Sequence, residues 1–332
     1  MIVSTEQAII IFNKLPAAMQ SFYFHPLYVI NDAVYKKDLR PIFFAQEDNG
    51  NIYYHAFHLG RVPGTAYYDI QSAYGYGGPL FSGEQSFISE CIRNYKKWCF
   101  NQKVIVEFIR FHPLLNNYLN YYGEVKENRQ TVNIDLTTQK ELLDQFSTRV
   151  RTAIRKAQKE NVRISMLKSN ANIQQFIDMY TSLMTKKNAG DDYFFNKEYF
   201  VELLQNNAVY LVNAENNLGE VIGAAIFFIY GHIAEYHLST SNTEGREKNV
   251  TNLLIYEFAE YARKLNIQSL YLGGGTDGSI SNSLLFFKRG FSKQDAPFFI
   301  GNYKHDRTIY EEYKSEYIKK NPQKEQFILF YR

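Results

Sequence analysis

The chain has little cysteine, one tryptophan and no long apolar run, and each shortage narrows its class. Two cysteines occur in 332 residues, Cys91 and Cys99. They fall on one predicted helix, where eight residues span about 12 Å, beyond disulfide reach. Neither a disulfide scaffold nor a metal site follows, and two isolated thiols suit a reducing cytoplasm. No stretch of about 18 apolar residues exists, so no membrane-spanning helix is expected. The opening Met1–Glu6 lacks a basic segment followed by an apolar one, so no signal peptide is expected. Charge of one sign is scarce as well. The 37 Lys plus Arg against 34 Asp plus Glu leave a net charge of +3, too little for a global field that grips nucleic acid.

Aromatic residues are abundant: 27 Tyr and 26 Phe exclude a disordered chain. The length suits two domains. The pattern predicts a helix near Ala8–Leu15. A hairpin follows, with strands Pro41–Gln46 and Asn51–Phe57 around Asp48-Asn-Gly50. Further along come a strand near Ala66–Ser72, a helix over Glu84–Phe100, and strands at Val104–Arg110 and Thr131–Leu136. The second half reads as a basic helix (Thr148–Asn161) and a strand at Val162–Leu167. Helices near Ile173–Thr185 and Lys197–Leu204 lead into a meander over 208–239. A helix at Asn249–Leu265, a strand at Ile267–Leu272, a short helix and a final strand near Gln326–Tyr331 complete it. This is a mixed α/β chain (α+β mixed sheets), with domains expected at 1–145 and 146–332.

The basic helix is the strongest local signal. Arg149, Arg151, Arg155, Lys156 and Lys159 occur with no acid before Glu160. Val150, Ile154 and Ala157 share one face at about 100° per residue, and the cations cover the rest. Like charges at four-residue spacing cost a few tenths of a kcal/mol, which an anion such as phosphate would offset. An ordinary solvated basic face fits the same pattern.

Two glycine-rich loops stand out, Tyr74-Gly-Tyr-Gly-Gly-Pro79 and Leu272-Gly-Gly-Gly-Thr-Asp-Gly278. Gly273, Gly274 and Gly275 follow a strand and allow a sharp turn or close approach to a ligand. No Gly-Lys-Ser/Thr follows, so this is no P-loop. Tyr74 and Tyr76 offer faces for sugar or peptide. His237 shares a strand face with Glu235 while Tyr236 points the other way, and its imidazole suits proton transfer. His55 and His58 lie on opposite faces of a strand and cannot chelate together.

Lys288-Arg-Gly-Phe291 resembles the ending of the last helix in the GNAT acyltransferase fold. Together with Tyr74–Pro79, Arg151-x-x-x-Arg155-Lys-Ala157 and Leu272–Gly275, it resembles the FemAB-like, FemX-related branch, over about Ala8 to Phe291. The resemblance implies two tandem GNAT-like domains. It also implies acyl or aminoacyl transfer to an amine of a nucleotide- or lipid-linked cell-envelope glycan or peptidoglycan precursor. The donor would be acyl-CoA or aminoacyl-tRNA, with no tightly bound cofactor and no metal. Charged tRNA is a further partner to test, although the coiled-coil arm of some tRNA-using relatives is absent.

In this setting Lys288 would stabilise the oxyanion, with Phe287 excluding water and His237 as base. Arg151, Arg155, Lys156, Tyr74, Tyr76 and Tyr236 would hold the acceptor. Arg246, Asn249, Thr251 and Gly273–Gly275 would hold the donor. The chain departs from the GNAT pattern twice. Asn249 and Thr251 replace small residues in the pyrophosphate loop, and Phe286 stands where a tyrosine acid is common. The same departures suit a non-catalytic glycan- or phosphate-binding relative. A direct RNA-binding protein is a third reading, marked by steep salt dependence.

Overall fold

The structure is a computed structural model that describes residues 1–332 apart from Tyr35, Lys37 and Ile280. The chain divides into two compact units, Met1–Asn128 with Pro297–Arg332, and Arg129–Ala296. Residue 145, the expected boundary, falls inside the second unit, and residues 297–332 belong to the first.

The first unit opens with helices α1 (Thr5–Lys14) and α2 (Pro26–Val34). Strands β1 (Leu39–Asp48) and β2 (Asn51–Arg61) then form the expected hairpin, with Asp48 opposite Asn51. Asn49 and Gly50 turn the chain at φ 48° and 81°. Two consecutive positive values match the twist of the flanking strands. Strands β3 (Tyr68–Gln71) and β4 (Leu80–Ser82) both pair with β2. Helix α3 (Gln85–Asn101) then crosses over to β5 (Val104–Arg110), which lies parallel to β3. Cys91 and Cys99 are buried free thiols on α3.

Strand β6 (Glu124–Asp135) leads into the second unit, followed by α4 (Leu142–Gln145) and α5 (Thr148–Lys159). Ser147 caps α5 by accepting from the Val150 N–H, and Val150, Ile154 and Ala157 are buried, as the periodicity requires. Next come β7 (Arg163–Ser165), α6 (Asn170–Lys186), α7 (Lys197–Gln205), β8 (Val209–Glu215), β9 (Val221–Tyr230) and β10 (Ile233–Ser241). A short α8 (Thr243–Glu247) precedes α9 (Val250–Lys264), which crosses over to β11 (Ser269–Gly274) and α10 (Ser283–Arg289). Strands β10 and β11 are parallel. The strand order here is β6-β11-β10-β9-β8-β7. Each unit therefore contains one parallel pair joined by one long helix, the motif expected of two related halves.

One core fills the α5, α9 and α10 side of this sheet. It joins Val132, Ile134, Val150, Ile154, Phe227, Leu254, Phe258, Leu285 and Phe291. Helices α6 and α7 contact β10 and β8.

The last segment departs from expectation. Strand β12 (Asp295–Lys304) and helix α11 (Arg307–Lys320) fill the stretch before the expected final strand, to which the sequence pattern assigns no element. Residues 326–331 form turns rather than a final strand. Phe330 and Tyr331 are spent on an aromatic cluster with Tyr310 and Tyr313, so their apolar pattern reports packing.

Candidate active site

The site of the second unit begins where two strands part. β10 and β11 pair only through Ile233–Ser269, Ala234–Leu270 and Glu235–Tyr271. Beyond that point each strand bulges against its other neighbour, β10 between Tyr236 and Leu238 and β11 between Tyr271 and Gly273. A bulge bends and twists its strand, and here the two bends end the ladder between the strands. Gly273 takes φ 76°, a value that favours glycine.

Lys288 of α10 reaches this opening. Its Nζ donates to the Gly274 carbonyl oxygen at 2.8 Å and stands 5.9 Å from the Tyr236 ring centre. The residue is 7% exposed. Burial pushes its pKa down from 10.5 to about 7, because a low-dielectric site disfavours the ammonium. Tyr236 packs on Phe227 and hydrogen-bonds Ser239, and burial pushes its phenol up to about 12. Phe287 joins the core beside Phe291.

The glycine loop and α10 are tied together by Asn282. Its Oδ1 accepts from Leu284 N and Leu285 N, and its Nδ2 donates to Thr276 Oγ1. A methyl group at Gly275 would overlap Asn282. The Gly275 carbonyl accepts from Arg129 Nη1 at 3.0 Å. The loop glycine thus serves a close backbone approach to a cap, and the sequence had no signal for Asn282 or Arg129.

His237 stands elsewhere. Its Nε2 lies 2.8 Å from the Tyr199 hydroxyl of α7, and its ring packs 4.4 Å from Phe228. Tyr236 and Phe227 face the α9 core, where Phe227 stacks on Phe258. His237 and Lys288 therefore lie on opposite faces of β10.

The basic helix keeps its charge. Arg149 donates to the Phe286 carbonyl and lies 4.3 Å from that ring. Arg151 donates to the Phe146 carbonyl and Thr148 Oγ1, and Lys156 to the Glu247 carbonyl. Arg155 and Lys159 are exposed. Among the described residues none of the five reaches a carboxylate within ion-pair distance. Phe286 is 63% exposed and lies two residues from Lys288, so the two project from opposite sides of α10.

At the start of α9, Asn249 takes the left-handed conformation (φ 58°) and leaves the helix without a side-chain cap. Thr251 lies within the first turn rather than at the cap. Arg246 donates to the Ser241 carbonyl and Thr243 Oγ1. It lines a pocket of about 310 Å³ with Ser241, Asn242, Thr243, Asp178 and Lys186.

Tyr74 and Tyr76 belong to the first unit. The Tyr74 N–H donates to Asp32, and Tyr76 meets the rings of Tyr23, His112 and Phe298 edge-on. Arg110 fastens their loop by donating to the carbonyls of Ser72, Ala73 and Gly75. This loop follows β3, as the opening beside Lys288 follows β10.

Residues 144–289 match the family described as Acetyltransferase (GNAT) domain. No curated protein matches the chain in sequence. In fold, it is similar to FemX, with a TM-score of 0.73 at 14% identity over 94% of this chain and 98% of that one. A C-terminal domain assigned to a lysylphosphatidylglycerol synthetase of Agrobacterium fabrum gives 0.61 at 12% identity, over 95% and 97%. L-PGS from Bacillus licheniformis gives 0.55 at 12%, over 81% and 85%. The chain thus has a FemAB-like fold. The segment similar to the GNAT family runs from α4 to α10 and includes Lys288, Tyr236, the split between β10 and β11, and the start of α9. Among the described residues no helix is long and apolar enough to cross a membrane, and no cluster of His, Cys, Asp and Glu is arranged to hold a metal.

Proposed function

We propose that the chain transfers an acyl or aminoacyl group to an amine of a nucleotide- or lipid-linked cell-envelope glycan or peptidoglycan precursor. The observation that carries this reading is Lys288, a buried lysine whose Nζ stands at the point where β10 and β11 separate. The acceptor nitrogen attacks the acyl carbonyl carbon directly. Negative charge develops on the carbonyl oxygen, and the Lys288 ammonium stabilises it at short range in a dry setting. The bond from carbonyl carbon to the leaving thiolate or ribose oxygen then breaks. The amine proton passes to the leaving group or to water. Among the described residues no activated nucleophile for a covalent acyl-enzyme accompanies Lys288.

Arg246, the bare N-terminus of α9 and the nearby pocket suit the phosphate-bearing end of a donor. Arg151, Arg155 and Lys156 suit acceptor phosphate, since none is committed to a carboxylate. His237, bonded to Tyr199 on the other face, fits a positioning role better than proton abstraction. The test has two parts. Lys288→Ala should lower turnover at least a hundredfold with the fold intact, and unchanged turnover removes Lys288 from the mechanism. Thermal shift at low salt with acyl-CoA against charged tRNA separates the donors, because only the bound donor raises Tm.

A further inference from the structure

The first unit holds a buried carboxylate that the acyl-transfer reading leaves unused. Glu107 on β5 is fully buried. Its Oε1 accepts from the hydroxyls of Tyr121 and Tyr122, both at 2.6 Å, and its Oε2 from Tyr95 at 2.9 Å and His305 Nε2 at 3.2 Å. Burying a charge is costly, and apolar side chains of equal volume would stabilise a core as well. The network instead fixes the ring of Tyr122 and, through His305, the end of β12.

Those fixed groups wall a concavity of about 260 Å³, lined by Tyr122, Gly123, Glu124, Asn302, Tyr303, Lys304 and Arg307. Two tyrosine rings meet there edge to face, 5.2 Å apart. The Lys96 ammonium stands over both rings, at 4.4 and 4.1 Å, and makes no ion pair among the described residues. The Arg307 side chain is exposed and makes no hydrogen bond or ion pair among the described residues, and the Glu311 carboxylate feels its charge. Lys304 is paired with Glu311 at 2.9 Å, and Asn302 donates to Glu124 at 3.3 Å. A methyl group at Gly123 would overlap the Asn302 carbonyl, so the backbone closes tightly at this edge.

We propose that this concavity is a second ligand site, for a monosaccharide phosphate. Its volume of about 260 Å³ lies just under the roughly 300–1,000 Å³ usual for ligand pockets, which restricts it to a single ring. Asn302 and Glu124 offer partners for sugar hydroxyls beside the Tyr122 and Tyr303 rings. Arg307 and Lys304, with Lys96 behind the rings, supply the positive field for phosphate.

The test is calorimetric titration of the full chain with glucose 6-phosphate, glucose and inorganic phosphate, with parallel NMR of the Arg307 side chain. Glucose 6-phosphate should bind at least tenfold more tightly than either fragment and shift the Arg307 signal. Arg307→Ala, an exposed change that spares the fold, should weaken it at least tenfold, and Tyr122→Phe should weaken it less. The double variant Arg155→Ala/Lys156→Ala should bind as the parent does. Absent binding, equal binding of glucose, or binding lost in the α5 variant and kept in Arg307→Ala overturns the proposal. Each of these readouts is independent of acyl transfer.

Discussion

The Lys288 ammonium lies 2.8 Å from the Gly274 carbonyl oxygen and over the face of Tyr236. That carbonyl is its one hydrogen-bond acceptor among the described residues, and no carboxylate offsets its burial. Residue 274 is the last of β11, just past the point where β11 leaves β10. The positive charge is therefore held at the opening by backbone rather than by an ion pair.

The pH dependence of this group follows from burial. Its folded pKa of about 7 lies below the unfolded value near 10.5, so between those values the unfolded chain binds more protons. Stability should rise with pH across that window, at up to about 1.4 kcal/mol per pH unit. Lys288→Met should flatten the rise in urea titrations at pH 7, 8 and 9. Turnover should behave oppositely, falling above about pH 7 as the ammonium is lost. Lys288→Arg, which stays charged, should lack that falling limb.

Asn249 enters α9 with φ 58°. Asparagine tolerates this conformation and β-branched residues do not. Asn249→Gly should leave stability within about 0.5 kcal/mol, because glycine removes the steric cost. Asn249→Val should cost roughly 1–3 kcal/mol by urea denaturation. If donor phosphate lies at this helix start, Val should also raise the donor KM while Gly does not.

The sequence made part of this readable. Val150, Ile154 and Ala157 marked the buried face of α5 because helical period and burial coincide. Asp48-Asn-Gly50 marked the hairpin because only such residues take two positive φ values. The position of Lys288 at the end of α10 was legible through Gly290 and Phe291. Alternation along β10 already set Tyr236 and His237 on opposite faces, but that Lys288 joins the Tyr236 face depends on how α10 packs, which carries no residue signature. Asn282 and Arg129 were hidden because their partners lie in loops whose approach only the fold sets. Strand β12 was missed because its Pro297, Gly301 and Asn302 weaken the strand pattern that pairing with β5 overrides.

The Tyr199–His237 contact distinguishes a base from a brace. Tyr199 is 1% exposed, and its hydroxyl meets His237 Nε2 at 2.8 Å. Removing that hydroxyl in Tyr199→Phe should cost about 1 kcal/mol in urea denaturation. With His237 as a brace on the far face of β10, kcat should change less than threefold. A hundredfold loss of kcat at unchanged stability would instead make the imidazole part of the chemistry.

Glu107 sets the acid limit of the first unit. Burial alone would raise its pKa, but the hydrogen bond and charge of His305, the charge of His55 and the Tyr121 hydroxyl outweigh it and hold the carboxyl at about 2. The folded value lies below the unfolded value near 4.5. The stabilisation is therefore complete above about pH 5 and is lost as pH falls toward 2. Glu107→Gln should remove most of that loss, so variant and parent should converge in stability near pH 2. At pH 7 the variant should be less stable by a few kcal/mol, because three phenol donors and an imidazole then face an amide. Urea denaturation at pH 7, 4 and 2.5 measures both ends. A constant difference between the two proteins at all three values would show that the carboxylate charge contributes nothing to the folded state.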